Sequence, residues 1–195
     1  MRLFIALDID DAIREKIARF MDGVRGFAPD ARWARPESLH VTLKFIGEKP
    51  EPVVEQIKQA LETIREGGVE MDFQGFGFFP SATAPRVFWI GLKAGPQLAA
   101  LAATVDEAVS ALGIAKEHHA FSPHLTLARG AGGLGSPRRL KSDRANQTFG
   151  KLQEKLSALP APKFGTIAAR EFFLYQSQLS PKGSKYTKLK SFGLT

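Results

Sequence analysis

The chain has 195 residues, 44% of them hydrophobic, enough to bury a core within one folding unit. It contains no cysteine, which excludes disulfides, thiolate zinc sites, iron–sulfur clusters and cysteine nucleophiles. With 27 Lys and Arg against 20 Asp and Glu, the formal charge of +7 favours an anionic partner without specifying one.

Residues 2–7 are a compact apolar run suited to a buried strand, and Asp8, Asp10 and Asp11 cut it far short of a signal-peptide core. The Asp10-Asp11 pair stands where a helix N-cap belongs, and Ile13, Ile17, Phe20, Met21 and Val24 recur at helical spacing until Gly26 and Pro29. From Leu39 to Ile46 the chain alternates with strand period, and Val54, Ile57, Leu61 and Ile64 then predict a second helix stopped by Gly67-Gly68. Strands are expected at 69–79 and 86–93. From Gly95 the same grammar returns, with a helix over 97–112 and a strand over 121–128. A Gly-rich basic loop follows from Arg129 to Arg144, lacking the Gly-Lys-Ser/Thr ending of a P-loop. Phe149, Leu152 and Leu156 mark a further helix, and strands at 165–176 and 185–191 close the chain. Each half reads strand, helix, strand, helix, strand, strand when the strand at 86–93 is shared, an internal duplication within an α+β chain. No stretch approaches the roughly 20 apolar residues of a membrane span, so a cytoplasmic protein is expected.

The halves share a tetrapeptide, His40-Val41-Thr42-Leu43 and His124-Leu125-Thr126-Leu127. In a strand, residues two apart share a face, so each His stands ~6.6 Å from its Thr while the aliphatic residues enter the core. Two such strands facing each other would surround one small anion with two imidazoles and two hydroxyls. A catalytic zinc typically takes three protein ligands, and neither tetrapeptide supplies a second His or carboxylate at ligand spacing. The adjacent pair His118-His119 would send at most one side chain to the same face of a strand. No metal and no cofactor are therefore expected. A histidine pair without metal suits acid–base catalysis, because an ordinary pKa near ~6.5 lets one ring be neutral while the other is protonated. Opening a cyclic phosphodiester requires such a pair. The aromatics Phe73, Phe76, Phe78 and Phe79 read as packing residues rather than base-stacking ones.

These residues resemble the 2H phosphoesterases, and specifically the bacterial and archaeal RNA 2′,3′-cyclic phosphodiesterases, long called 2′-5′ RNA ligases. The likeness runs through Arg2 to Leu7, Leu39 to Gly47, Pro85 to Trp89, Phe121 to Arg129 and Ser177 to Tyr186. It implies one domain over 1–195 of two pseudo-twofold lobes, each with an antiparallel sheet and helices, and a positively charged cleft between them. It implies hydrolysis of an RNA or nucleotide 2′,3′-cyclic phosphate to a 2′-phosphomonoester by a monomer. By matching positions, His40 would donate a proton to the leaving 3′ oxygen and His124 accept one from water. Thr42 and Thr126 would contact the scissile phosphate, and Arg129 would contact substrate. The chemistry of two near-symmetric motifs does not itself assign donor and acceptor. The rival expectations are ligation through a 2′-5′ link at the same site and a non-catalytic RNA-binding module.

Overall fold

The computed structural model describes residues 1–130, 148–180 and 183–195, so the expected Gly-rich loop lies, from 131 to its end at 144, outside the described residues. The first apolar run is strand β1 (Arg2–Leu7). Asp10 then caps α1 (Asp11–Val24), its carboxylate accepting the Ile13 N–H at 2.8 Å. Ile13, Ile17, Met21 and Val24 form the buried stripe of α1. A two-residue strand β2 (Arg32–Trp33), too short for any period to announce, precedes β3 (Val41–Glu48) and α2 (Glu51–Glu62). Then come β4 (Val69–Phe79), β5 (Val87–Ala94) and α3 (Pro96–Ser110).

The chain closes with β6 (His124–Arg129), α4 (Gly150–Ser157), β7 (Lys163–Ala169), β8 (Glu171–Ser180) and β9 (Gly183–Gly193). Two expectations shift here. The strand predicted from 121 begins at His124, directly after Pro123, which has no N–H to give a ladder. The single strand predicted over 165–176 is two strands in different sheets, with Arg170 at the crossing.

Two antiparallel sheets result, ordered β3-β1-β8-β9 and β2-β6-β5-β4-β7. Each motif strand pairs with the opening strand of its own half, β3 with β1 and β6 with β5. The outer strands are exchanged: β4 leaves the first half to pair with β5, and β8 returns from the end of the chain to pair with β1. Leu3, Ile5 and Leu7 on β1 and Phe88 and Ile90 on β5 enter one continuous core. The opposite face of the first sheet carries a separate cluster of Phe4, Ala6, Phe173 and Tyr175, with Tyr186 packed against it. Among the described residues no helix is long and apolar enough to cross a membrane.

Candidate active site

Val41, Leu43, Leu125 and Leu127 are buried, as the alternation requires, while His40, Thr42, His124 and Thr126 are half-buried on the opposite faces of their strands. Both histidines are oriented the same way. His40 Nδ1 lies 2.7 Å from the Ser38 carbonyl oxygen, and His124 Nδ1 lies 2.7 Å from the Ser122 carbonyl oxygen. A carbonyl only accepts, so Nδ1 donates in both, and Nε2 of each ring is left for chemistry.

The duplication extends to an irregularity. Ala6 opposes Thr42 but Ile5 then opposes Lys44, so Leu43 forms a β-bulge. Trp89 opposes Thr126 and Phe88 then opposes Ala128, so Leu127 does the same. Strict alternation would bring Ala128 to the His124 face and send Arg129 inward. The bulge reverses this: Ala128 is 1% exposed, and Arg129 shares the face of His124 and Thr126. In the first motif the same step turns Phe45 outward at 59% exposure and buries Lys44 at 5%. The Lys44 ammonium donates to the Ala115 carbonyl at 2.7 Å and pairs with Asp106 at 2.6 Å and Glu117 at 3.7 Å.

Aromatic rings wall both histidines. The Phe4 ring centroid is 4.7 Å from that of His40, and Tyr186 meets His40 edge-on at 5.2 Å. Phe79 meets His124 edge-on at 4.9 Å, with Trp89 at 6.2 Å. Phe73, Phe76 and Phe78 pack in or against the core, and Phe79 packs on the sheet surface against Trp89 and His124. Trp89 lies so flat on Gly77 that a Cβ there would come within 2.2 Å of its ring.

Burial among these groups pushes the His40 imidazole down to about 4; the charges of Arg129 and His124 add to this, while the Ser38 carbonyl and the Asp8 carboxylate act against it. Burial also lowers His124, helped by Arg129 and opposed by the Ser122 carbonyl. Arg129 therefore acts on both imidazoles and His124 on His40, and the two motif strands are in contact. Of the five residues expected at the site, His40, His124 and Arg129 are within electrostatic reach of one another, and Thr42 and Thr126 share the faces of their motif histidines; these are the residues brought together. His118 and His119 are not: both are exposed in an irregular segment before β6. Among the described residues no three His, Asp or Glu side chains gather as a metal-binding cluster.

A polar brace behind His40 is not evident from the motif. Asp8 accepts from Arg14 Nη2 at 2.6 Å, from the Ile9 N–H at 2.8 Å and from Lys188 at 2.6 Å. Burial would raise the Asp8 carboxyl, but Lys188, the Ile9 N–H and Arg14 together hold it below its ordinary value. Arg14 Nη1 donates to the Pro36 carbonyl at 2.7 Å and reaches that of Leu39 at 3.5 Å. It thereby fixes the 3-10 turn Pro36–Ser38, whose last carbonyl orients His40. A cavity of about 210 Å³ opens between Asp8, Ser38, His40, Tyr175, Tyr186 and Lys188.

The sequence profile of the family described as "LigT like Phosphoesterase" matches residues 7–89 and 90–186. An RNA 2′,3′-cyclic phosphodiesterase of Archaeoglobus fulgidus is 35% identical over 98% of this chain and 99% of its own length. A protein of the same name from Escherichia coli K12 is 28% identical over 100% of this chain and 97% of its own. The crystal structure of E. coli LigT complexed with 3′-AMP superposes with a TM-score of 0.77 at 27% identity, covering 100% of this chain and 98% of that one.

Proposed function

The chain belongs to the family of LigT-like phosphoesterases, and from that membership we propose that it is an RNA 2′,3′-cyclic phosphodiesterase working through two histidines. The observation that carries the mechanism is the repeated contact of Nδ1 with a backbone carbonyl at 2.7 Å, which prepares both Nε2 atoms for proton transfer. In this reading His124 takes a proton from the attacking water and His40 gives one to the departing 3′ oxygen, leaving a 2′-phosphomonoester. Asp8 acts on His40 and not on His124, and its charge favours the imidazolium a donor needs. Burial holds both rings toward the neutral form, so the donor acquires its proton as the anionic phosphate enters. The hydroxyls of Thr42 and Thr126 and the Arg129 guanidinium stabilise charge on the non-bridging oxygens.

One chain carries both motifs, which supports a monomer, and the exchange of strands between sheets supports a single domain over 1–195. An RNA-processing activity fits a place in the cytoplasm. The test is incubation with an oligonucleotide ending in a 2′,3′-cyclic phosphate, with and without EDTA, followed by identification of the product. A 2′-phosphate formed equally in both supports the reading. A 3′-phosphate, or turnover lost in EDTA and restored by zinc or manganese, overturns the mechanism.

A further inference from the structure

Arginines converge on the cleft beyond the histidines. Arg32 on β2 and Arg129 on β6 are direct partners in an antiparallel ladder. Such partners share a face with their Cβ atoms about 4.5–5.5 Å apart, and like charges so placed repel. The next pair identifies the face: Ala128 is buried and Trp33 packs edge-on against buried Phe88 at 5.9 Å, so Arg32 and Arg129 point into the cleft. Arg2 comes from the opposite sheet, two residues before Phe4 and on the same side of β1. Burial opposes the charge of Arg129, Tyr186 favours it, and the charges of Arg32 and Arg2 oppose it again.

Among the described residues no carboxylate pairs with Arg2, Arg32 or Arg129. Glu48, the cross-strand neighbour of Arg2, is exposed and lies 3.5 Å from the terminal amine. The cluster is also ordered. Arg129 lies with His124 on the motif strand β6, whereas Arg32 lies one strand beyond it on β2 and Arg2 begins β1 in the other sheet. Repulsion maintained at a cleft mouth is relieved by an anion, and a guanidinium fork suits phosphate.

We propose that Arg2 and Arg32, on either side of Arg129, form a second phosphate subsite that holds the internucleotide phosphodiester next to the terminal cyclic phosphate. This rests on the cleft being that of a cyclic phosphodiesterase. The scissile phosphate lies between the histidines, and the chain leaves past Arg129 toward Arg32 and Arg2.

The experiment compares three substrates: a nucleoside 2′,3′-cyclic phosphate, a dinucleotide ending in that group, and the same dinucleotide with an uncharged methylphosphonate linkage. Arg32→Ala and Arg2→Ala should each raise KM for the charged dinucleotide about tenfold, leave its kcat within about twofold, and leave the mononucleotide unaffected. The methylphosphonate dinucleotide should be indifferent to both substitutions, and Arg32→Lys should recover part of the loss. Equal losses on all three substrates, or no loss on the charged dinucleotide, overturn the subsite. Equilibrium binding of the same ligands reads the subsite apart from turnover. If the parent protein hydrolyses none of them, the phosphodiesterase reading fails, while a preference for the charged linkage that Arg32→Ala lacks still supports the subsite.

Discussion

Each imidazole has one nitrogen committed to a backbone carbonyl, so the ring can exchange a proton only through Nε2, and its charge is set by its surroundings. For His40 the folded value of about 4 lies below the ordinary 6.5. Between those pH values the unfolded chain binds a proton that the folded one refuses, so stability is full above 6.5 and falls as pH drops toward 4. Denaturant midpoints measured through that window should decline less steeply in His40→Gln than in the parent; parallel declines would refute the depressed value. The same burial places the kcat/KM profile on the acid side of ordinary imidazole, and bound phosphate, by favouring the imidazolium, should move the kcat profile to higher pH. His40→Ala and His124→Ala should each lower turnover about 10²–10⁴-fold with far smaller changes in affinity, and each should abolish one limb of the bell. Thr42→Ala and Thr126→Ala remove a hydrogen bond and leave proton transfer in place, so steady-state rates should fall less. The histidines and threonines were legible because the tetrapeptide occurs twice. The carbonyls that orient them follow from residues two places earlier, and Ser38 and Ser122 do recur there, although a backbone contact does not require serine.

At the scale of elements, the helices follow from their apolar spacing, while the strands depart from theirs where bulges intervene. A period of two assigns Arg129 to the core; one extra residue at Leu127 returns it to the histidine face. The equivalent step at Leu43 gives β3 two successive buried residues, Leu43 and Lys44, the second charged. Periodicity cannot show this, because the ion pair that makes Lys44 tolerable comes from Asp106 on α3. Lys44 is the buried partner, its side chain 4% exposed, and removing it alone leaves the half-buried Asp106 carboxylate with the Glu117 N–H but without its ammonium. Lys44→Met should therefore cost about 1–3 kcal/mol in urea unfolding, and Lys44→Met with Asp106→Leu should recover most of it. A double variant as unstable as the single one would show that Lys44 acts by shape rather than by charge. The Arg14 brace is a similar long-range contact, from α1 to the turn before β3. Arg14→Met should lower kcat without removing a proton-transfer group, and chemical shifts of the His40 ring should report its reorientation.

Across the whole molecule, the duplication seen in sequence is real in register yet does not divide the chain into two halves that fold apart. β1 is flanked by β3 from its own half and by β8 from the end of the chain, and β4 is flanked by β5 and β7. That exchange was not legible, because no Gly, Pro, Asn or Asp between Thr166 and Tyr175 marks the point where the chain passes from one sheet to the other. It has a measurable consequence. Both tryptophans, Trp33 and Trp89, lie in the five-stranded sheet, and both tyrosines, Tyr175 and Tyr186, lie in the four-stranded one. Tryptophan fluorescence therefore follows one sheet, and second-derivative tyrosine absorbance follows the other. A continuous core joins the inner faces of both sheets, and removing β8 would strip β1 of a partner, so neither sheet can lose its order while the other keeps it. The two signals should give coincident urea midpoints and equal slopes, as a single cooperative transition demands. Separate midpoints would mean that each lobe is stable by itself, and that the exchanged strands join the lobes without coupling them.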